Sequence, residues 1–185
     1  MKEFDWIKTA YIAHRGFHSL DKSIPENSML AFKKAVDYGY AIELDIHVLK
    51  DGEVVVFHDD DLKRMCKVDK KLAECEYPEI KNLKLLQTNE TIPLLEDVLT
   101  LVNGTVPLLI ELKPKGDYLA LCEQSLKIIR NYQGPYAIQS FNPKVVNWFR
   151  KNANDIPRGQ LAEYFTNDFS ISKMTKFMLK RMLLN

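Results

Sequence analysis

Three acidic side chains stand among apolar residues in a pattern that suits metal chemistry. Glu43 and Asp45 alternate with apolar residues in "AIELDIHV" (41–48), and Glu111 follows the apolar start of "PLLIELK" (107–113). Carboxylate oxygens are hard ligands, which suit Mg²⁺, Ca²⁺ or Mn²⁺ better than zinc. The three residues are therefore candidate ligands of one divalent cation.

Two basic residues and two histidines accompany these carboxylates in the sequence. Arg15 and Lys113 would hold an anionic phosphoryl group, whose charge must be stabilised in the transition state. Because imidazole titrates near neutrality, one of His14 and His58 can accept a proton while the other protonates a leaving alcohol. The set indicates acid–base cleavage of a phosphodiester, with Gln139 as a supporting side chain.

A second interpretation of the same residues needs no metal. Charged groups inside a fold are usually paired, so the carboxylates could form ion pairs with Arg15 and Lys113 alone. His47 shares a strand face with the acidic residues, and we expect it to line the interior rather than act in catalysis. His18 follows "HRG" in a predicted loop, where we expect a solvated side chain.

Alternating apolar runs and helical patterns must position these groups. The helix predicted from "NSMLAFKKAVDYG" begins at Asn27 as N-cap, and the helix predicted from "NPKVVNWFRKN" has Asn142 as N-cap and Pro143 in its first turn. Two more helices are predicted from "IPLLEDVLTLVNG" and "DYLALCEQSLKIIRNYQG". The predicted strands are 10–14, 41–48, 53–58, 107–113, 136–141 and 158–165. This alternation predicts an α/β fold with parallel strands.

Two α/β topologies fit that alternation, an open doubly wound sheet and a (β/α) barrel. The polar candidates fall at or near the ends of several different strands, as catalytic residues do in a barrel. A doubly wound sheet usually binds its ligand beside a glycine-rich turn, and the sequence contains neither G-x-G-x-x-G nor a P-loop. We therefore predict a TIM-type barrel whose polar face looks inward and whose apolar face meets the helices.

The segment "HRGFHSLDKSIPENSMLAFKKAVDYGYAIELDIHVLKDGEVVVFHDDDLKR" resembles the signature of the glycerophosphodiester phosphodiesterase family. The shared pieces are HRG, PEN before a helix, E-x-D, DG and a VV-x-HD run. The later pieces "IPLLEDVL", "LLIELK" and "QSFNP" resemble the family in the same order, so the likeness covers most of residues 10–165.

The resemblance implies a metal-dependent hydrolase that converts glycerophosphodiesters to glycerol 3-phosphate and an alcohol, in lipid and glycerol metabolism. Carried over by motif, the catalytic histidines are His14 and His58. The metal carboxylates are Glu43, Asp45 and Glu111, and the phosphate-binding groups are Arg15 and Lys113. The resemblance also implies a cyclic phosphate intermediate. In the first step His14 would be the base and His58 the acid. A lysolipid-directed phospholipase D-type enzyme and a non-catalytic assembly module are the alternatives.

Composition limits the classes of partner and the cellular compartment that we expect for this protein. A formal charge of +1 on 185 residues gives no field that would attract nucleic acid or an anionic membrane. The sequence holds no uninterrupted apolar stretch of membrane-spanning length and no secretory signal, so we expect a cytoplasmic protein with a small-molecule substrate. Cys66, Cys75 and Cys122 are odd in number and lack a C-x-x-C pair, which indicates reduced thiols.

Length sets the expected domain plan. We predict one domain over residues 1–185 with a short excursion at about 63–92. A complete barrel usually needs roughly 250 residues, so about six of eight strands are expected here, with the last strand–helix units missing. Residues 169–185 are predicted to form an amphipathic helix, and an open sheet edge would favour self-association.

Overall fold

A computed structural model describes residues 5–162 of the chain. The strands in chain order are β1 (Ile12–Ala13), β2 (Ala41–Val48), β3 (Val54–Val56), β4 (Leu108–Leu112), β5 (Tyr136–Ser140) and β6 (Arg158–Gln160). The helices are α1 (Trp6–Thr9), α2 (Met29–Asp37), α3 (Lys63–Cys66), α4 (Tyr77–Ile80), α5 (Leu95–Val102), α6 (Tyr118–Ile129) and α7 (Pro143–Asn152). A 3-10 turn covers Leu72–Glu74.

The sheet is parallel in the order β1-β2-β4-β5-β6, and a helix precedes β2, β4, β5 and β6. One face of β2 is apolar, and its residues Ile42, Leu44 and Ile46 share one core with α2, α5, α6 and α7. The opposite face of the sheet carries Glu43 and Asp45 from β2 and Glu111 from β4. A doubly wound sheet has helices on both faces, so helices on one face and polar groups on the other agree with the barrel prediction.

β3 differs from its predicted place in the sheet. It pairs antiparallel with β2, with Ile46 opposite Val56, and lies off the parallel path. The connection covers residues 49–53, where the Leu49 N–H donates to the Glu53 carbonyl at 2.8 Å and Gly52 has a φ of +89°. A parallel crossover needs about a dozen residues or more, so a connection this short makes a hairpin. The described residues thus contain five parallel strands and this antiparallel one.

The predicted N-cap of α2 was wrong by one residue. Ser28 is the cap, because its hydroxyl accepts from the Ala31 N–H at 3.2 Å and donates to the Pro25 carbonyl at 2.7 Å. Asn27 has a φ of +53° and turns its amide toward Asp45 instead. The cap of α7 at Asn142 is confirmed, since its side chain accepts from the Lys144 N–H at 2.9 Å.

Residues 63–92 contain α3, α4 and the 3-10 turn, and they pack in a second, smaller core that they share with residues before them. Leu62, Met65, Leu72, Ile80 and Leu85 are buried in it together with Val55 and Phe57 from the β3 region. Within residues 5–162, none of the helices combines the length and the apolar character that crossing a bilayer requires. The predicted C-terminal helix and the end of the sixth predicted strand (163–165) lie outside the described residues.

Candidate functional site

The three candidate metal ligands converge where β2 and β4 run side by side. Asp45 is the register partner of Glu111, and Glu43 lies two residues earlier on the same face of β2. Their exposed fractions are 5% for Glu43, 1% for Asp45 and 7% for Glu111. Each offers one oxygen, and these oxygens lie within 4.8 Å of one another. A single divalent cation can therefore contact all three.

Crowding of buried carboxylates changes the proton affinity of Glu43. Burial, followed by the negative charge of Asp45, raises the pKa of Glu43 to about 7, although the Arg15 N–H donates to its Oε2 at 3.0 Å. A buried carboxylate in this condition needs a proton or a cation beside it. The donor set, three hard oxygens with excess negative charge, fits a divalent metal ion.

A tight turn after β1 brings Arg15 to the carboxylates. Arg15 and Gly16 have φ values of +56° and +79°, and a Cβ on Gly16 would lie 2.9 Å from the Ala31 side chain. Glycine therefore permits both the turn and its close packing on α2. The Arg15 Nη1 lies 2.8 Å from Glu26 Oε1, and its buried Nε lies 3.5 Å from Asp45 Oδ2 without a hydrogen-bond partner.

Lys113 follows β4 and pairs with two of the three carboxylates. Its Nζ lies 2.8 Å from Glu111 Oε1 and 3.2 Å from Asp45 Oδ1. These pairs are the metal-free arrangement that the sequence left open, and they do not balance the charge. With Glu26 and Asp59 included, the connected groups comprise five carboxylates and three cations, namely Arg15, Arg64 and Lys113. When all five carboxylates are ionised, two negative charges are uncompensated, which is the charge of one divalent ion. Without an ion, the proton that Glu43 binds up to about pH 7 removes part of this excess.

The two candidate catalytic histidines differ in their surroundings. His14 is 66% exposed at its side chain, and its Nε2 lies 3.9 Å from Glu43 Oε2. Partial burial, followed by the charge of Arg15, lowers the pKa of His14. The His58 Nδ1 lies 2.7 Å from Asp59 Oδ1. Since a carboxylate only accepts, Nδ1 donates there, and the exchangeable proton of His58 belongs to Nε2.

His47 is buried and His18 is exposed, as the sequence predicts, and Gln139 lies beside Glu111 on the neighbouring strand. Gln139 is half-buried on β5 as the register partner of Glu111. His47 is buried, with its Nε2 at 3.3 Å from the His58 carbonyl oxygen, and burial lowers its pKa to about 4. The His47 side chain therefore lies in the interior next to the His58 carbonyl, and its ring is neutral near pH 7. His18 is exposed.

Sequence reasoning missed the roles of Glu26, Asn27 and Arg64. The Asn27 Nδ2 donates to Asp45 Oδ2 at 2.9 Å, and its Oδ1 accepts from the Asp45 N–H at 3.4 Å. Glu26 pairs with Arg15, and Arg64 pairs with both Glu26 and Asp59. The signal was available, because Glu26 and Asn27 belong to the PEN motif and Arg64 ends the signature segment. A motif alone does not say which loops meet.

A second group of donor atoms, from Glu26, His58 and Asp59, also has metal-ligand spacing. The Arg64 guanidinium hydrogen-bonds both carboxylates of this group. It supplies the positive charge that a cation would bring, so we assign no metal to this position.

Glu111, Lys113 and His58 of the site line a cleft of about 880 Å³, which is formed by the loop after β3 and by the ends of β4 and β5 with the residues that follow them. The lining residues are 58–61, 111–115 and 140–144. Lys115 Nζ pairs with Asp60 Oδ2 at 2.9 Å beside it, and Phe141 is 45% exposed. The cleft gives a substrate access to His58, Glu111 and Lys113 together.

The chain is similar to several known proteins in sequence and in fold. A model of the glycerophosphoryl diester phosphodiesterase family matches residues 14–183. A glycerophosphodiester phosphodiesterase of Caldanaerobacter subterraneus is 32% identical over 167 residues, 84% of this chain and 67% of that protein. A rat protein named lysophospholipase D is 30% identical over 162 residues, 80% of this chain and 50% of that protein.

Among solved structures, an Oleispira antarctica phosphodiesterase in complex with the product sn-glycerol-3-phosphate matches with a TM-score of 0.77 and 24% identity. The match covers 94% of this chain and 71% of that one. At this identity the likeness shows the fold, and it confirms the barrel prediction. The chain spans between half and about two thirds of the length of the two curated relatives.

Proposed function

Because this chain belongs to the glycerophosphoryl diester phosphodiesterase family, we propose that it hydrolyses glycerophosphodiesters to glycerol 3-phosphate and an alcohol. The observation that carries the proposal is the buried group Glu43, Asp45 and Glu111 beside Lys113. It combines a cation-binding centre with an anion-binding side chain at one end of the sheet. Both features suit phosphodiester cleavage, because each stabilises the negative charge of the phosphoryl group in the transition state.

Glu43, Asp45 and Glu111 would hold the divalent ion, Mg²⁺ or Ca²⁺, with Mn²⁺ also suited to the oxygen ligands. When bound, the ion supplies Lewis-acid stabilisation of the phosphoryl charge and lowers the pKa of the attacking hydroxyl. Arg15 and Lys113 bind the non-bridging phosphate oxygens, and their positive charge keeps the diester between the carboxylates and the histidines. Gln139 supports Glu111 from the neighbouring strand.

Proton transfer falls to the two histidines. The lowered pKa of His14 keeps its ring neutral near pH 7, which suits it as the base that takes the proton from the substrate's own glycerol hydroxyl. The hydroxyl oxygen bonds to phosphorus, and the bond to the leaving alcohol breaks. His58 donates its Nε2 proton to that alcohol, while Asp59 holds Nδ1.

The product of this first step is a cyclic phosphate, and water opens it in the second. The roles reverse, so His58 takes a proton from the water and His14 returns one to the glycerol oxygen. Each histidine ends in its starting protonation state. Glycerol 3-phosphate and the alcohol are released.

The test is release of glycerol 3-phosphate from glycerophosphocholine by the 185-residue chain, with and without added Mg²⁺, Ca²⁺ or Mn²⁺. We expect release that stops with a chelator and in His58→Ala, and that survives in His18→Ala, a matched change at an exposed histidine. A folded chain that releases no product with any of these ions would overturn the proposal. Choline release from lysophosphatidylcholine measures the lysolipid alternative, which the rat relative's name raises.

A further inference from the structure

Arg64 joins two acidic side chains that come from different loops. Its Nε and Nη2 donate to Asp59 Oδ2 and Oδ1 at 2.6 and 2.9 Å. Its Nη1 and Nη2 donate to Glu26 Oε2 and Oε1 at 3.0 and 2.6 Å. One guanidinium therefore binds two carboxylates, each through both oxygens, an arrangement with high geometric specificity.

Each of these carboxylates in turn holds a residue of the proposed machinery. Asp59 accepts from His58 Nδ1 at 2.7 Å, and Glu26 accepts from Arg15 Nη1 at 2.8 Å. Arg64 thus stands at the centre of a chain of charged hydrogen bonds that runs from His58 to Arg15. These hydrogen bonds connect the loop after β3 to the loop between β1 and α2.

The charge of Arg64 also keeps both carboxylates ionised. Burial opposes ionisation of Glu26, but hydrogen bonds from Arg64 and then Arg15 hold its pKa below the ordinary value. Hydrogen bonds from Arg64 and then His58 do the same for the pKa of Asp59 against its partial burial. Without Arg64, each carboxylate would keep only the hydrogen bond to its own catalytic or phosphate-binding partner.

We infer that Arg64, carried by the short helix α3, is a positioning residue that fixes the His58 ring through Asp59 and the Arg15 guanidinium through Glu26. This inference rests on the proposed function for its effect on rate. Residues that orient metal ligands through a hydrogen bond typically contribute about 10- to 100-fold in activity, and we expect a loss in the same range here. Lysine would not replace Arg64, because a single ammonium cannot bind both carboxylates bidentately.

The test compares Arg64→Ala and Arg64→Lys with Arg130→Ala. Arg130 is a matched control, since its guanidinium also pairs with both oxygens of one carboxylate, that of Asp155, on the surface between α6 and the loop before β6. We expect kcat for glycerophosphocholine to fall about 10- to 100-fold in both Arg64 variants and to stay unchanged in the control. Asp59→Asn should lower kcat too, and the double variant Asp59→Asn/Arg64→Ala should lose less than the two losses combined.

A spectroscopic measurement separates positioning from general destabilisation and does not need activity. The His58 Nδ1–H proton resonance should persist in the intact chain and in Arg130→Ala, and broaden by exchange with water in Arg64→Ala. Either an unchanged kcat or an unchanged resonance in Arg64→Ala would overturn the inference. So would a loss of kcat that only tracks a lowered Tm. If the unsubstituted chain releases no product, the proposed function fails, and the resonance still decides the role of Arg64.

Discussion

Glu43 couples cation binding to pH at the scale of a single residue. Burial and then Asp45 raise its pKa to about 7, so a metal ion must displace a proton at or below neutrality. We expect the apparent affinity for Mn²⁺ to rise about 10-fold between about pH 6 and about pH 8, as the ionised fraction of Glu43 rises by that factor.

Isothermal titration calorimetry measures this dependence. Titrations in buffers of different ionisation enthalpy should also show release of about one proton per ion at the lower pH and almost none at the higher pH. An affinity that does not change over this range would mean that Glu43 is already ionised in the metal-free chain.

Asn27 stabilises the buried Asp45 and adopts a left-handed backbone at the same time. Asn27→Ala removes a hydrogen bond to a charged acceptor and places alanine at a φ of +53°, so we expect a loss of about 2 kcal/mol or more in the free energy of unfolding. Asn27→Gly loses the hydrogen bond but tolerates the φ. Denaturant titration should rank Asn27→Ala below Asn27→Gly, and equal stabilities would show that the backbone conformation costs nothing.

Side-chain types together with strand periodicity predict most of the candidate site. Glu43, Asp45 and Glu111 were chosen from period-two alternation and strand ends, and the structure brings their oxygens within 4.8 Å of one another. Arg64 could not be chosen this way, because its partners Glu26 and Asp59 belong to two other loops. Periodicity predicts on which face of a strand a side chain lies, but it does not predict which loops are in contact.

At the scale of elements, Ser28 starts α2 next to the motif that carries Asn27. Ser28→Ala removes the acceptor for the Ala31 N–H and the donor to the Pro25 carbonyl in a fully buried position. Loss of an N-cap typically costs about 1 kcal/mol, and a buried unsatisfied partner adds to this. We expect a loss of about 1–3 kcal/mol in the free energy of unfolding, measured by chemical denaturation.

Ser28→Thr keeps the hydroxyl and is the matched control for the cap, with any loss confined to the extra methyl group in a packed position. If Ser28→Ala is as stable as the unsubstituted chain, the capping role is wrong.

Helix starts and strands were predicted correctly where one nearby residue pattern determines them. The predictions were wrong where two residues suit the same position or where a connection sets the direction of a strand. Asn142 before Pro143 admits one interpretation, and the helix begins there. Asn27 and Ser28 are both common N-cap residues. The Asn27 side chain hydrogen-bonds Asp45, so Ser28 caps the helix instead. The valines of β3 predict a strand, but the direction of that strand depends on the short connection 49–53.

For the molecule as a whole, the strand–helix alternation predicts the five parallel strands of the described residues and their polar face, but not the antiparallel β3. Ile42, Leu44 and Ile46 face the helices while Glu43 and Asp45 face the other side, as the alternation required. The charge imbalance of the site could not be read from a net charge of +1, because it depends on which side chains gather at one place.

That excess of negative charge lowers the stability of the metal-free fold when Glu43 is ionised. A carboxyl whose pKa is raised on folding binds its proton more tightly in the folded state, so stability falls as pH rises from about 4.5 to about 7 and stays lower above it. Glu43→Gln has the shape of the protonated acid and keeps an oxygen for the Arg15 N–H. At about pH 8 without metal, we expect this variant to be more stable than the unsubstituted chain by about 1–3 kcal/mol.

Saturating metal should reverse that order. Binding to the folded state adds about 4.1 kcal/mol at roughly 1,000 times Kd, which exceeds the advantage of Glu43→Gln without metal. Glu43→Gln should lose most of this gain because it lacks one anionic ligand. Thermal unfolding at about pH 8, with a chelator and then with Mn²⁺, measures both effects in one pair of proteins. If Glu43→Gln lowers Tm in the chelator, Glu43 contributes to the stability of the metal-free fold, and the site is held together by its ion pairs alone.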